Sequence, residues 1–267
     1  MSMSYCPDFW NALAQFHAEV EDSNFDRASV RRLLPEIESP VLVVGAGQGL
    51  IVAELRKHGY ECAGVDLSPE MIRHAQLRRG LALVQADAKA MPFPAASYQT
   101  IIYATGVVDF TAEENEIRAM LTEGRRVVKE LGKVFVAFYR ASAAQEQFLT
   151  MVGLLRDGRL ALRESFELYL LNPAQMVGWV ASRTGLGRVR ATILLLRLSA
   201  LCTMQERRTT LRMQRAFRKI GDPRRLIDTA PDKLPYRNER EIETLFKRLG
   251  IPIKRLSAFG SCWVVRI

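Results

Sequence analysis

Three glycines at alternate positions, Gly45, Gly47 and Gly49, follow the apolar run Val41-Leu42-Val43-Val44, and two carboxylates, Asp66 and Asp87, come after them at wider spacing. Alternate glycines let a chain turn tightly without β-carbon clashes. They also leave room for a ligand to lie on the main chain at a helix N-terminus. Asp66 closes the segment Glu61-Cys62-Ala63-Gly64-Val65-Asp66. A carboxylate at the C-terminal tip of a strand stands where an open α/β sheet binds ligands, and it suits a ribose diol. The chemistry these residues point to is the holding of a nucleoside-bearing cofactor. The dinucleotide fingerprint wants glycine at the sixth position of G-x-G-x-x-G, and Leu50 stands there.

The elements that must position these residues are legible around them. Val41–Val44 reads as a buried parallel strand, and Leu50 to Leu55 as the helix that follows. Ser68 is placed to cap a second helix, with Pro69 at its first position. Residues 97–104 read as a fourth strand, Ala112 to Leu131 as a helix closed by Gly132, and Val134 to Tyr139 as a fifth strand. Asn238 is placed to cap a helix from Glu239 to Leu249 that stops at Gly250, and residues 251–256 and 261–267 form a closing antiparallel hairpin. At the other end, Pro7 to Asp22 carries Phe9, Leu13, Phe16 and Val20 on one helical stripe.

Gly45-Ala46-Gly47-Gln48-Gly49, Asp66-Leu67-Ser68-Pro69-Glu70-Met71, Val84-Gln85-Ala86-Asp87-Ala88 with Met91, and Ser97-Tyr98-Gln99-Thr100-Ile101-Ile102-Tyr103-Ala104 stand in one order. Together they resemble the motifs of class I S-adenosylmethionine (SAM)-dependent methyltransferases, most closely the small-molecule enzymes of the ubiquinone/menaquinone type. The resemblance covers about residues 40–140 and 238–267. It implies an α/β fold, a Rossmann-like and mostly parallel sheet with an antiparallel C-terminal strand. It also implies SAM as cofactor, with Gly45, Ala46, Gly47 and Gly49 along its methionine and ribose portion and Asp66 on the ribose hydroxyls. Leu67 and Met91 would flank the adenine, Asp87 and Ala88 would read its edge, and the Ala104 carbonyl would face the methionine ammonium. One departure is Gln99, which stands near the place of the aspartate that usually opens the fourth strand. The N-P-P-Y and D-P-P-Y sequences of the nucleic-acid and amino-N enzymes are replaced by Ala104-Thr105-Gly106-Val107-Val108-Asp109-Phe110.

Methyl transfer from a sulfonium is an in-line displacement that rests on positioning and desolvation. A base is needed only when the acceptor must lose a proton. His17, Asp109 and Tyr139 are the weak candidates for one, with Tyr5 and Trp10 near the expected pocket mouth. A lone histidine is more often structural. The four cysteines are scattered and no His cluster accompanies them, so neither a disulfide framework nor a metal site is expected. The opening residues lack a basic, apolar leader and no run reaches the ~20 apolar residues of a membrane span, which makes a cytoplasmic protein the expectation.

Between the fifth strand and the next helix lie residues 141–237, far more than the dozen or so residues of a simple crossover. The expected organisation is a methyltransferase core of residues 1–140 and 238–267 with a helical insertion, 141–237, as a cap over the substrate. Helical patterns run from Ala144 to Arg156, Leu160 to Leu171, Pro173 to Arg183 and Arg188 to Ile220, and residues 221–237 read as an irregular return. The insertion holds 17 Lys and Arg against 8 Asp and Glu, and Arg207, Arg208, Arg212, Arg215, Arg218 and Lys219 cluster on one helix. Such a face attracts anionic substrates or acidic headgroups. It is equally a solvated basic face. The expected acceptor is a small molecule of amphipathic or anionic character, with no nucleic acid as partner. Lipid contact through the insertion and a homodimer remain open, as do an RNA methyltransferase docking through the insertion and a non-catalytic SAM-binding module.

Overall fold

The computed structural model describes residues 7–19, 27–201, 211–212, 214–217, 219–220, 222–259 and 262–267. The chain divides into two compact units, Met1–Arg140 with Arg237–Ile267, and Ala141–Tyr236.

In the first unit, helices α1 (Pro7–Glu19) and α2 (Arg27–Leu33) precede β1 (Val41–Val44), α3 (Leu50–Lys57), β2 (Cys62–Asp66), α4 (Pro69–Arg79), β3 (Val84–Gln85), β4 (Tyr98–Tyr103), α5 (Glu114–Val127) and β5 (Val128–Tyr139). The chain returns to it with α6 (Glu239–Leu249), β6 (Arg255–Phe259) and β7 (Cys262–Arg266). Among the described residues these strands form one sheet in the order β3-β2-β1-β4-β5-β7-β6. β1 pairs in parallel with β2 and β4, whereas β7 runs antiparallel to both β5 and β6. The Rossmann-like sheet with its antiparallel final strand is therefore as expected.

Strand side chains alternate faces, and that alternation divides the core into two layers. Leu42, Val44, Ile101, Tyr103, Val134, Val136 and Phe138 face α5 and α6, packing on Ile117, Leu121, Ile242, Leu245 and Phe246. Val41, Val43, Ile102, Phe135 and Ala137 face the other way, against Val30, Leu33, Ile51, Val52, Leu55 and Ala75. On α1 the stripe residues Phe9, Leu13 and Phe16 are buried, while Val20 lies outside the described residues. Cys62 and Cys262 are buried, and burial pushes the Cys62 thiol up to about 12; Cys6 and Cys202 lie outside the described residues.

The α5–β5 boundary departs from the sequence expectation. The helix ends at Val127, and the chain passes directly into a strand at Val128, where Val128 pairs with Tyr98. The Ala96 and Ser97 amides donate to the Arg126 and Val127 carbonyls, so the edge of β4 captures the last helical turn. Gly132 is no cap. It sits inside β5, where a β-carbon would come within 2.7 Å of the Gln99 carbonyl oxygen. The last hairpin also starts later than expected, since β6 opens at Arg255 rather than Ile251.

The second unit is not wholly helical. After the helix Ala143–Met151, strands Leu155–Arg156 and Arg159–Ala161 form a hairpin, and Lys233–Pro235 adds a third antiparallel strand. The two turn residues Asp157 and Gly158 both have positive φ, the conformation a two-residue hairpin loop requires. Helices Leu162–Glu167, Pro173–Thr184 and Arg188–Leu201 follow. The return is less irregular than residues 221–237 suggested, because Asp222 caps the helix Pro223–Thr229 through its side chain. This unit has its own core of Val152, Leu154, Leu168, Val180 and Ala191.

Candidate functional site

The loops that leave β1, β2 and β4 meet at one edge of the sheet. β1 delivers Gly45, and the Ala46 amide continues the ladder by donating to the Val65 carbonyl at 2.9 Å. Gly47 has φ +54, and among the described residues nothing lies within 4 Å of the place its β-carbon would take. The main chain is thus bare on that side, which only glycine provides at no steric cost. Gly49, also left-handed, caps α3.

β2 ends on Asp66, whose carboxylate crosses to this turn. Its Oδ2 accepts from the Gly47 amide at 2.7 Å and its Oδ1 from the Ser68 amide at 2.9 Å. Burial pushes the carboxyl up, and the amides of Ser68, Gly47 and Leu67 pull it back. Ser68 caps α4 as expected, accepting from the Met71 amide with Pro69 next in the chain. Its hydroxyl also donates to Asn11 Oδ1 on α1 at 2.7 Å. On the far side of the turn, Gln48 Nε2 donates to the Ala14 carbonyl of α1 at 2.7 Å. Trp10, on the same helix, lies against the β4 loop. Its ring stacks on Phe110 at 5.8 Å and would stand 2.9 Å from any β-carbon at Gly106. One helix therefore touches the loops after all three strands. Asn11, Ser68 and Gln48 were not singled out from the sequence for these contacts, because hydrogen bonds between distant segments leave no periodic trace.

The loop after β3 is held separately. The Ala86 amide donates to the Asp66 carbonyl, and Asp87 Oδ1 accepts from the Lys89 amide at 2.8 Å. Buried Met91 donates its amide to Glu123 Oε1 of α5 at 2.7 Å. Arg126 spans the Met91 and Phe93 carbonyls and pairs with Glu123, whose carboxyl it holds below the ordinary range. Beyond β4, the Ala104 amide donates to the Val44 carbonyl, leaving Ala104 next to the end of β1.

The weak base candidates have other surroundings. Asp109 is buried and bound on both oxygens, accepting from the Gly106 amide at 2.6 Å and the Tyr139 amide at 3.0 Å. Burial pushes its carboxyl up to about 6 against these amides and the nearby Arg237. Arg237 in turn donates to the Asp109 and Thr111 carbonyls. Tyr139 ends β5 opposite Cys262. His17 lies partly buried beside Phe16, and burial pushes its imidazole down to about 4. Tyr5 lies outside the described residues. Among the described residues, no three His, Cys, Asp or Glu side chains gather to hold a metal ion.

A parallel sheet, a glycine turn at the C-terminal end of its first strand, and a carboxylate from the second strand bound to that turn are what comparison with known proteins has to explain. Residues 42–136 match the family described as a methyltransferase domain. Over that stretch the chain is similar to a methyltransferase domain. Residues of this chain are 30% identical over 134 positions to a demethylmenaquinone methyltransferase of Thermus thermophilus, covering 46% of this chain and 60% of that protein. A demethylmenaquinone methyltransferase of Corynebacterium kroppenstedtii is 31% identical over 115 positions, covering 43% of this chain and 48% of its own length. The chain thus spans about half of the curated relatives it matches. Among solved structures, a SAM-dependent methyltransferase from Aquifex aeolicus aligns over 98% of both chains at 14% identity, with a TM-score of 0.49.

Proposed function

We propose that the chain binds SAM on the Gly45–Gly49 turn and passes its methyl group to a small, amphipathic or anionic acceptor. The carrying observation is the Asp66 carboxylate tied to the Gly47 amide beside a main chain left bare at Gly47. A nucleoside with an amino-acid tail fits such a cradle, because it offers ribose hydroxyls to a carboxylate and a flat chain to exposed backbone. Gly45, Ala46, Gly47 and Gly49 would line the methionine and ribose portion, and Asp66 would accept from the ribose hydroxyls. Leu67 and Met91 would flank the adenine, Asp87 and Ala88 would read its edge, and the Ala104 carbonyl would take the ammonium.

A bound sulfonium supplies an electrophilic methyl group. The chain's own part is to orient it and exclude water, which the buried ends of β1 and β4 and the α1 contacts to Gln48 and Ser68 are built to do. The two relatives are named for demethylmenaquinone. In this reading the inserted unit selects the acceptor, and its excess of Lys and Arg favours one with an anionic group.

Calorimetric titration with S-adenosylhomocysteine and with NAD tests the cofactor. Binding of the first and not the second is expected. Asp66→Asn keeps an acceptor for the turn but removes the charge, and should weaken S-adenosylhomocysteine at least about tenfold, since hydrogen bonds to charged groups are worth ~1.5–3 kcal/mol. Unchanged affinity in a variant of unchanged melting temperature would remove Asp66 from the site. Transfer of a labelled methyl group to the organic-soluble fraction of a cell extract tests the reaction.

A further inference from the structure

The helix Arg188–Leu201 is apolar on two faces. Its inner face carries Ala191 and Leu198, both buried, with Leu194 and Leu195 packed on the core of the inserted unit. Its outer face carries Val189, Ile193 and Leu196 at i, i+4 and i+7, one stripe on a helix, and these are 75%, 46% and 66% exposed. Exposed Ala200 extends the same stripe. A helix that is apolar all round is normally buried all round, and exposed hydrophobic side chains are normally scattered singly. Here five of the eight large hydrophobic side chains exposed among the described residues fall between Val189 and Leu211. Arg188, Arg190 and Arg197 are exposed on this helix, and Arg212, Arg215 and Lys219 on the segment after it. Residues 188–220 contain nine Lys and Arg and one acid, Glu206.

We propose that this outer face seats the chain on an anionic lipid surface, with the Val189–Ile193–Leu196 stripe entering the headgroup boundary and the flanking arginines meeting lipid phosphates. Charge selects the occupant. A second copy would bring the same positive charge to the stripe, which favours an anionic layer over self-association. A nucleic acid would want exposed aromatic rings for stacking, and the aromatic described in residues 188–220, Phe217, is buried. Among the described residues no helix is long and apolar enough to cross a membrane, so the contact is with the surface. An exposed stripe flanked by arginines binds such a surface through buried apolar area together with attraction to acidic headgroups.

Co-sedimentation of the full chain with vesicles tests this, using phosphatidylcholine alone and phosphatidylcholine mixed with phosphatidylglycerol. The chain should sediment with the mixed vesicles, not with the neutral ones, and less so as salt is raised. Ile193→Ser with Leu196→Ser should lower the partition coefficient about tenfold or more, from the apolar area lost, with no fall in melting temperature because both side chains are exposed. Failure to sediment, equal sedimentation with neutral vesicles, or an unchanged partition in the double variant would each overturn the proposal. A double variant that turns a dimer into a monomer while vesicle binding persists would assign the face to a second copy instead. S-adenosylhomocysteine binding, measured on the same preparations, reports on the cofactor site independently.

Discussion

Asp109 offers a quantitative test of how the β4 loop is built. Its carboxyl is buried and bound by two backbone amides, yet burial prevails and pushes it from 3.8 to about 6. A shift of about 2 units corresponds to about 3 kcal/mol. The folded protein therefore holds this proton more tightly than the unfolded chain, and stability falls as pH rises between the two values. The contribution is fully present below about 4 and lost above about 6. Asp109→Asn removes the titration. It also leaves the Gly106 or Tyr139 amide facing an NH2 group, a pH-independent cost of about 1–3 kcal/mol for a buried donor left unpaired. Urea denaturation of both proteins across pH 4 to 7.5 isolates the effect, because every other titrating group cancels in the difference. The wild-type advantage should be greatest near pH 4 and shrink by about 3 kcal/mol by pH 7. A difference that stays flat, or grows with pH, would refute the claim that burial governs this carboxyl.

Two further outcomes follow from charged groups near the site. His17, pushed down to about 4 by burial, should show no imidazole titration by NMR between pH 5 and 8, and titration near 6.5 would place it in water. Glu123, held below its ordinary range chiefly by Arg126, stabilises the fold above about pH 4.5 and loses that contribution on acidification. Glu123→Gln should therefore lower the melting temperature at pH 7 and have progressively less effect as the pH is taken down below about 4.5; an effect independent of pH would assign the role to packing.

Local signals carried most of the core's legibility. β1, with four apolar residues buried on both faces, reads as a continuous run because a central parallel strand has no solvent side. The Ser68–Pro69 and Asn238 starts were equally plain, since a cap is written in the residues that make it. The α5–β5 junction was not. Residues 128–131 continue a helical pattern, and only pairing with Tyr98, about thirty positions earlier, turns them into strand. In the inserted unit the Asp157-Gly158 pair is a hairpin signal in its own right, but it falls in the gap between two helical patterns, where it reads equally as a link between helices. The strand Lys233–Pro235 has no such signal. It exists because Arg159–Ala161 presents an edge to it.

Asp66 and Asp109 show why residue types suggest a role for one carboxylate more readily than for the other. Each is pushed up by burial, and each accepts from two backbone amides of loops at the same edge of the sheet. The partners of Asp66 are Gly47 and Ser68. Both lie within twenty residues, inside spacings that belong to a binding turn, so residue types alone suggest what the carboxylate does. Asp109 joins Gly106 to Tyr139, 30 residues on, while its carbonyl is held by Arg237, 128 residues on. Arg237 is also where the chain re-enters the first unit. The β4 loop is thus fastened at the point from which the inserted unit departs and at the point to which it returns. A base candidate and a loop fastener can be the same aspartate by residue type. What marks Asp109 as a fastener is the reach of its contacts, which join three segments that meet only in the folded chain.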